Sequence, residues 1–288
     1  MLNLNLNSRI ITAIILIPLV IAALFFLPPN LFGYVIIAIS TLAAWEWSQF
    51  IGWTKQIKRI ICAVLFSISL LGLQFSLPDL TQLTTEPLII YILSAGLVWW
   101  LVAIILVVTF PTSARFWSRS ALLKILFGIL TILPFYCGML VLKSVDYHID
   151  NFIGAWWVLY VMLLAWSADT GAYFFGHLFG KHKLAVKVSP GKTFEGLFGG
   201  MLTAGIVAWL FSLSIPILVI PKYLLLCSVI VVIISVFGDL TESMFKRQSG
   251  IKDSSNLIPG HGGVLDRIDS LTAAIPVFAG LTLLFFSL

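Results

Sequence analysis

The chain has 288 residues, 60% of them hydrophobic and 10% charged, with a mean hydropathy of +1.08. Soluble domains carry roughly a quarter charged residues, so a soluble globular fold is excluded. The net charge of +5 sits in short loops between apolar runs, which argues against a nucleic-acid partner and for a membrane face.

Nine apolar runs near the length of a membrane span are predicted, at roughly 10–27, 31–50, 60–77, 87–110, 121–142, 153–176, 194–213, 222–241 and 270–288. The first exceeds the usual signal-peptide core of about 7–15 residues and lacks a clear cleavage site, so it reads as a retained helix. Pro28-Pro29, Pro78, Pro111 and Pro221 fall at boundaries, where a missing N–H costs least. Only helices or closed barrels satisfy the backbone in lipid, and these runs are too long for barrel strands. The expectation is an all-α polytopic membrane bundle without a sheet. It is expected to form one integral-membrane domain, with a five-helix part at 1–145 and a second part at 146–288 that holds its polar motifs. Cys62, Cys137 and Cys227 show no metal spacing and read as small core residues.

With the N-terminus cytoplasmic, all of the 17 Lys and Arg fall on the inner side except Lys143 and Lys222. An odd span count then puts the C-terminus outside. Glu46, in "AAWEWSQF", reads as interfacial anchoring beside Trp45 and Trp47. Asp169, in "WSADTGAYFFG", interrupts an apolar helix. A carboxylate at helix centre costs about 2.5–3.5 kcal/mol on insertion scales, so Asp169 is a functional candidate, as an internal salt-bridge or outer-sphere partner. "SPGKTFEG" lacks the first glycine of a P-loop, since position 186 is Val186. It reads as a helix start capped by Ser189 with Pro190 in the first turn, where free N–H groups, Lys192 and Thr193 form an anion site. A plain capped helix is the competing reading.

"VFGDLTES" places Asp239, Glu242 and Ser243 on one helical face, and "GGVLDRIDS" spaces Asp266 and Asp269 by three. Two helices meeting at the membrane face would bring Asp239 beside Asp266, a repulsive pair unless a cation such as Mg²⁺ lies between them. Helix capping is the alternative for Asp269 with Ser270. Lys246, Arg247, Lys252 and Arg267 suit phosphate oxygens, or positive-inside anchoring. Gly260-His261-Gly262-Gly263 forms a turn whose backbone could approach a phosphate, with His261 as a phosphate contact or a base. The H-E-x-x-H motif of zinc proteases and the D-G-x-x-A-R motif of CDP-alcohol phosphotransferases are absent from the sequence.

The run S-M-F-K-R-x4-K-D-x-S-x2-I-P-x-H-G-G-V-x-D-R-I-D, Ser243 to Asp269, resembles the full signature of the phosphatidate cytidylyltransferase (CDP-diacylglycerol synthase) family. "ADTGAY", "SPGKTFEG" and "FGDLTES" are similar to that family too; the first five spans carry no comparable likeness. The resemblance implies a membrane enzyme that condenses CTP with phosphatidic acid to CDP-diacylglycerol and pyrophosphate. It implies Mg²⁺ on Asp239 and Asp266, with a second, monovalent cation such as K⁺ nearby. Lys246, Arg247 and Arg267 would neutralise phosphates. The expected setting is the bacterial inner membrane with a cytoplasmic site, and the expected assembly includes a homodimer. Two alternatives stay open: a CTP-dependent kinase or cytidylyltransferase acting on another lipid, and an ion-coupled transporter using Asp169 and Asp239.

Overall fold

The computed structural model describes residues 2–77, 79–81, 83–214, 223–260 and 262–285, with side chains described from Thr12 onward except Ala13 and Ser214. The chain folds into α1 (Leu2–Phe26), α2 (Pro29–Ile51), α3 (Gln56–Ser76), α4 (Pro87–Val108), the short α5 (Ala114–Trp117) and α6 (Ala121–Ser144). There follow α7 (Ile153–Phe179), strands β1 (Lys183–Ala185) and β2 (Ser189–Thr193), α8 (Phe194–Ser214), α9 (Leu224–Ser249) and α10 (Leu265–Phe285). Among the described residues, α2, α3, α4 and α6–α10 are eight helices long and apolar enough to cross a membrane. Helix α1 is a further apolar helix, 25 residues long. The protein is therefore an all-α multi-pass membrane protein. Apolar side chains such as Leu101, Phe198 and Leu213 face outward, as lipid contact requires. The predicted boundary residues Pro78, Pro221 and Lys222 lie outside the described residues.

Pro29 and Pro87 stand in the first turns of α2 and α4, where the missing N–H has no intrahelical partner to lose. Packing is densest between α7 and α8 and between α9 and α10. Helix α10 also packs on α4 and α6, so the end of the chain is built into its first half. At the α9–α10 crossing, a Cβ on Gly238 would stand 2.6 Å from the Asp269 carbonyl oxygen. Only glycine lets these two backbones approach so closely.

Phe245, fully buried near the end of α9, sits in an aromatic cage. Its ring centroid is 4.9 Å from Trp47, 5.8 Å from Phe50 and 4.7 Å from Trp117. Helices α2 and α5 thereby fix the polar end of α9.

Three expectations change. A sheet exists after all: β1 and β2 form a small antiparallel hairpin, with Lys183 opposite Thr193 and Ala185 opposite Ser189. It connects two spanning helices, where the rule against exposed strands in lipid does not apply. Ser189 and Pro190 therefore belong to a strand and do not start a helix. The cap of α8 is Thr193, whose Oγ1 accepts the Gly196 amide at 3.1 Å. Finally, α9 runs on to Ser249 and α10 begins at Leu265, so the polar residues of the signature continue both helices beyond their apolar stretches.

Candidate active site

The hairpin is pinned from two sides. Glu195, in the first turn of α8, accepts the backbone amides of Lys181 (3.1 Å) and His182 (3.2 Å), and lies 2.6 Å from His182 Nδ1. Arg247 Nε donates to the Val188 carbonyl at 3.1 Å, tying the hairpin to α9. So held, β2 presents Ser189, Lys192 and Thr193 to a cleft of about 540 Å³. Asp169 and His177 of α7, Lys183 of β1 and Asp239 of α9 also line it.

Lys192 Nζ lies 2.8 Å from Asp239 Oδ2, and Ser243 Oγ donates to Asp239 Oδ1 at 3.1 Å. One turn further along α9, Lys246 Nζ bridges Glu242 Oε2 and Asp266 Oδ1, each at 2.8 Å. Asp239, Glu242, Ser243 and Lys246 are thus one polar face of α9, as their spacing predicts. Asp266 Oδ2 accepts three further donors: the Ser254 amide (2.9 Å), the Ser254 hydroxyl (2.9 Å) and the Gly263 amide (2.8 Å).

Asp239 and Asp266 therefore have different partners, one held by Lys192 and the other by Lys246. Asp239 interacts electrostatically with the carboxylates of Asp169 and Asp269. Lys192 and Arg267 also act on Asp169 electrostatically. Asp269 does not start α10. It lies in the second turn, with Oδ1 2.7 Å from the Ser270 amide, so the capping reading fails. Lys252 and Arg267 are exposed. The Gly263 amide is engaged by Asp266, while Gly262 takes a left-handed backbone (φ 82°). His261 lies outside the described residues.

Hard oxygen donors suit Mg²⁺. Glu242 Oε1 is buried without a hydrogen-bond partner, an acceptor left open within the carboxylate cluster. Among the described residues no three His, Cys, Asp or Glu side chains form a ready metal cage. An ion here would draw few ligands from the protein and the rest from phosphate and water, as Mg²⁺ commonly does.

Sequence reasoning missed Glu46. It is not at an interface: it is completely buried, and both of its oxygens accept from the segment that leads into α10. The signal was the one that singled out Asp169, an acid inside an apolar run. The flanking tryptophans masked it.

The sequence profile of the Cytidylyltransferase family matches residues 7–285. A protein of Haemophilus influenzae named phosphatidate cytidylyltransferase is 44% identical over 281 residues, covering 95% of this chain and 97% of that protein. One of Pseudomonas aeruginosa with the same name is 44% identical over 277 residues, 96% of each chain. One of Bacillus subtilis, also so named, is 38% identical over 158 residues, 55% of this chain and 59% of that protein.

Proposed function

This chain belongs to the Cytidylyltransferase family, and on that premise we propose that it condenses CTP with phosphatidic acid, giving CDP-diacylglycerol and pyrophosphate in phospholipid biosynthesis. The observation that carries the site assignment is the pair of lysine–carboxylate clusters, Lys192–Asp239 and Lys246–Asp266–Glu242, beside the cleft at one end of α9 and α10.

A phosphate monoester is largely ionised near neutral pH, its second pKa being about 6 in phosphorylated side chains. The lipid phosphate oxygen is thus a ready nucleophile, and no strong base is needed. That oxygen attacks the α-phosphorus of CTP in line. A P–O bond to the lipid phosphate forms, the α–β anhydride bond breaks, and pyrophosphate leaves with the electron pair. Catalysis is then positioning and charge neutralisation. Lys192, with Ser189 and Thr193 on the hairpin, holds the nucleotide phosphates in the cleft. Lys246, Arg247, Lys252 and Arg267, with the glycine turn of Gly262 and Gly263 before α10, are assigned to the lipid phosphate. Asp239 and Asp266 would be the residues to hold Mg²⁺, with Glu242 nearby on α9, and Asp169 would suit a monovalent cation such as K⁺. The divalent ion would neutralise charge on the phosphates and on the leaving pyrophosphate.

The protein is a multi-pass membrane protein, and we place the site on the cytoplasmic face of a bacterial inner membrane. The excess of Lys and Arg on that side supports this, as does the need for a soluble nucleotide to meet a lipid headgroup. A cysteine at Lys187 should react with an impermeant maleimide in inverted vesicles and not in right-side-out ones. The opposite pattern would reverse the topology.

The activity is tested with purified protein in detergent, CTP labelled on its α-phosphate, Mg²⁺ and phosphatidic acid. Labelled CDP-lipid and unlabelled pyrophosphate should appear in equal amounts. Release of CDP with phosphate passed to a lipid, or labelling only of a different lipid acceptor, would overturn the reading.

A further inference from the structure

Glu46 is a carboxylate inside a membrane helix, fully buried, and among the described residues it forms no ion pair within 4.0 Å. Arg59, stacked over Trp45, is its electrostatic neighbour. Its charge is met by hydrogen-bond donors. Oε1 accepts from Ser255 Oγ at 2.5 Å and the Val264 amide at 2.9 Å. Oε2 accepts from the Leu265 amide at 2.6 Å and lies 3.1 Å from Ser254 Oγ. The Val264 and Leu265 amides open α10 and have no intrahelical acceptor, so Glu46 caps α10 from a helix about 220 residues away in sequence.

Ser254 is the joint between this clamp and the active site. Its hydroxyl stands between Glu46 Oε2 (3.1 Å) and Asp266 Oδ2 (2.9 Å), one proton for two acceptors. Its amide donates to Asp266, and its carbonyl accepts from Gln49 Nε2 on α2. The fit leaves no room: a Cβ on Gly263 would fall 2.1 Å from Ser254 Oγ and 2.5 Å from Glu46 Oε1. Asp266 follows directly on the capped amides and in turn holds Lys246.

We propose that Glu46 is a positioning residue for the transfer reaction: by clamping Ser254, Val264 and Leu265 onto α2 it sets the carboxylate of Asp266 and, through it, the ammonium of Lys246. The inference rests on the proposed role of Asp266 and Lys246. Glu46 is fully buried with both oxygens engaged by protein donors, so on this reading its loss affects the rate of the bound complex more than substrate binding. In Glu46→Gln the amide nitrogen faces one pair of donors, whichever way the side chain turns.

The test uses the full-length protein in detergent as wild type, Glu46→Gln, Ser254→Ala and the double variant. The wild type serves as the control that separates failure of the activity from failure of this inference. Glu46→Gln should lower kcat by roughly 10–100-fold with KM for CTP and for phosphatidic acid within about threefold, the split expected of an interaction acting in the transition state. Ser254→Ala should lower kcat in the wild type and have less than about a twofold effect in the Glu46→Gln background, because the two act in series. Unchanged kcat per folded molecule, or additive losses, would make Glu46 a structural anchor only and overturn the proposal. Should Glu46→Gln fail to fold, Ser255→Ala decides, because that hydroxyl donates to Glu46 and not to Asp266: a kcat loss at constant KM supports the proposal, and an unchanged kcat overturns it.

Discussion

Replacing Asp266 by Asn tests how α10 is joined to α9. The carboxylate uses one oxygen for Lys246 at 2.8 Å and the other for three donors at 2.8–2.9 Å. Asn must turn its NH₂ toward one of these sets. Facing Lys246 breaks one contact and facing the loop breaks three, so the amide settles with its NH₂ against the ammonium. At 2.8 Å the lost attraction is about 6 kcal/mol gross at an effective dielectric of 20. Desolvation offsets most of that, the two side chains being 14% and 5% exposed. Removing one partner of a buried pair costs about 3–5 kcal/mol, and here Lys246 keeps Glu242, which lowers the figure to about 2–3 kcal/mol. As a barrier increase, that is roughly 30–150-fold in turnover from misplacement alone. With Mg²⁺ assigned to the same carboxylate, turnover should fall below detection. The assay is the initial rate of CDP-lipid formation across a Mg²⁺ series, with melting curves in the same detergent to correct for folded protein. Near-normal turnover in Asp266→Asn at any Mg²⁺ concentration would remove Asp266 from the site.

Phe245→Ala empties the aromatic cage behind Lys246 and should cost about 3–5 kcal/mol of stability, read as a lower melting temperature in detergent; an unchanged melt would mean that the cage does not hold the end of α9. Lys192→Met removes the cation paired with Asp239, so kcat/KM for CTP should fall by about 10–100-fold, the worth of a charged hydrogen bond. An equal rise in KM for phosphatidic acid would contradict placing the nucleotide against the hairpin. Chelation of Mg²⁺ should stop turnover yet leave the melting temperature in place, because Asp239 and Asp266 already have Lys192 and Lys246 as counter-ions. A large drop in the melting temperature on chelation would show that the carboxylates depend on the metal to pack.

What was legible in the sequence followed from periodic chemistry. Continuous apolar runs fixed the helices, and the i, i+3, i+4 spacing of Asp239, Glu242 and Ser243 fixed their common face. The contacts that organise the site were harder to foresee, because they join residues far apart in the chain. Lys192 meets Asp239 across 47 positions only because a hairpin, and not a helix start, precedes α8. Pro190 and Gly191 look equally at home in either, so local preference could not choose. Glu46 was misread for the same reason: its four donors come from residues 254–265, and nothing beside it in sequence shows them. Ser254, the joint of the clamp, falls at a variable position of the signature as read from the sequence. The motif marked the neighbourhood, and the hydrogen bonds show which residue bears the coupling.

The balance of charge constrains how substrates enter. Asp169, Asp239, Glu242, Asp266 and Asp269 share Lys192 and Lys246 as their buried or half-buried cations, with Arg247, Lys252 and Arg267 exposed around them. A triphosphate approaching this set alone would meet more negative than positive charge in a partly dry cleft, where repulsion is weakly screened. On the proposed chemistry Mg²⁺ would offset part of the nucleotide's charge, and Lys192 would exchange a carboxylate for a phosphate oxygen, one anion for another. Lys246 has no such freedom: it is held between Glu242 and Asp266, and Asp266 is held by the loop that Glu46 clamps. The adaptable cation is thus on the hairpin and the fixed one is on the helix. That division suits a reaction in which a soluble substrate must come and go past a lipid phosphate held at the membrane face.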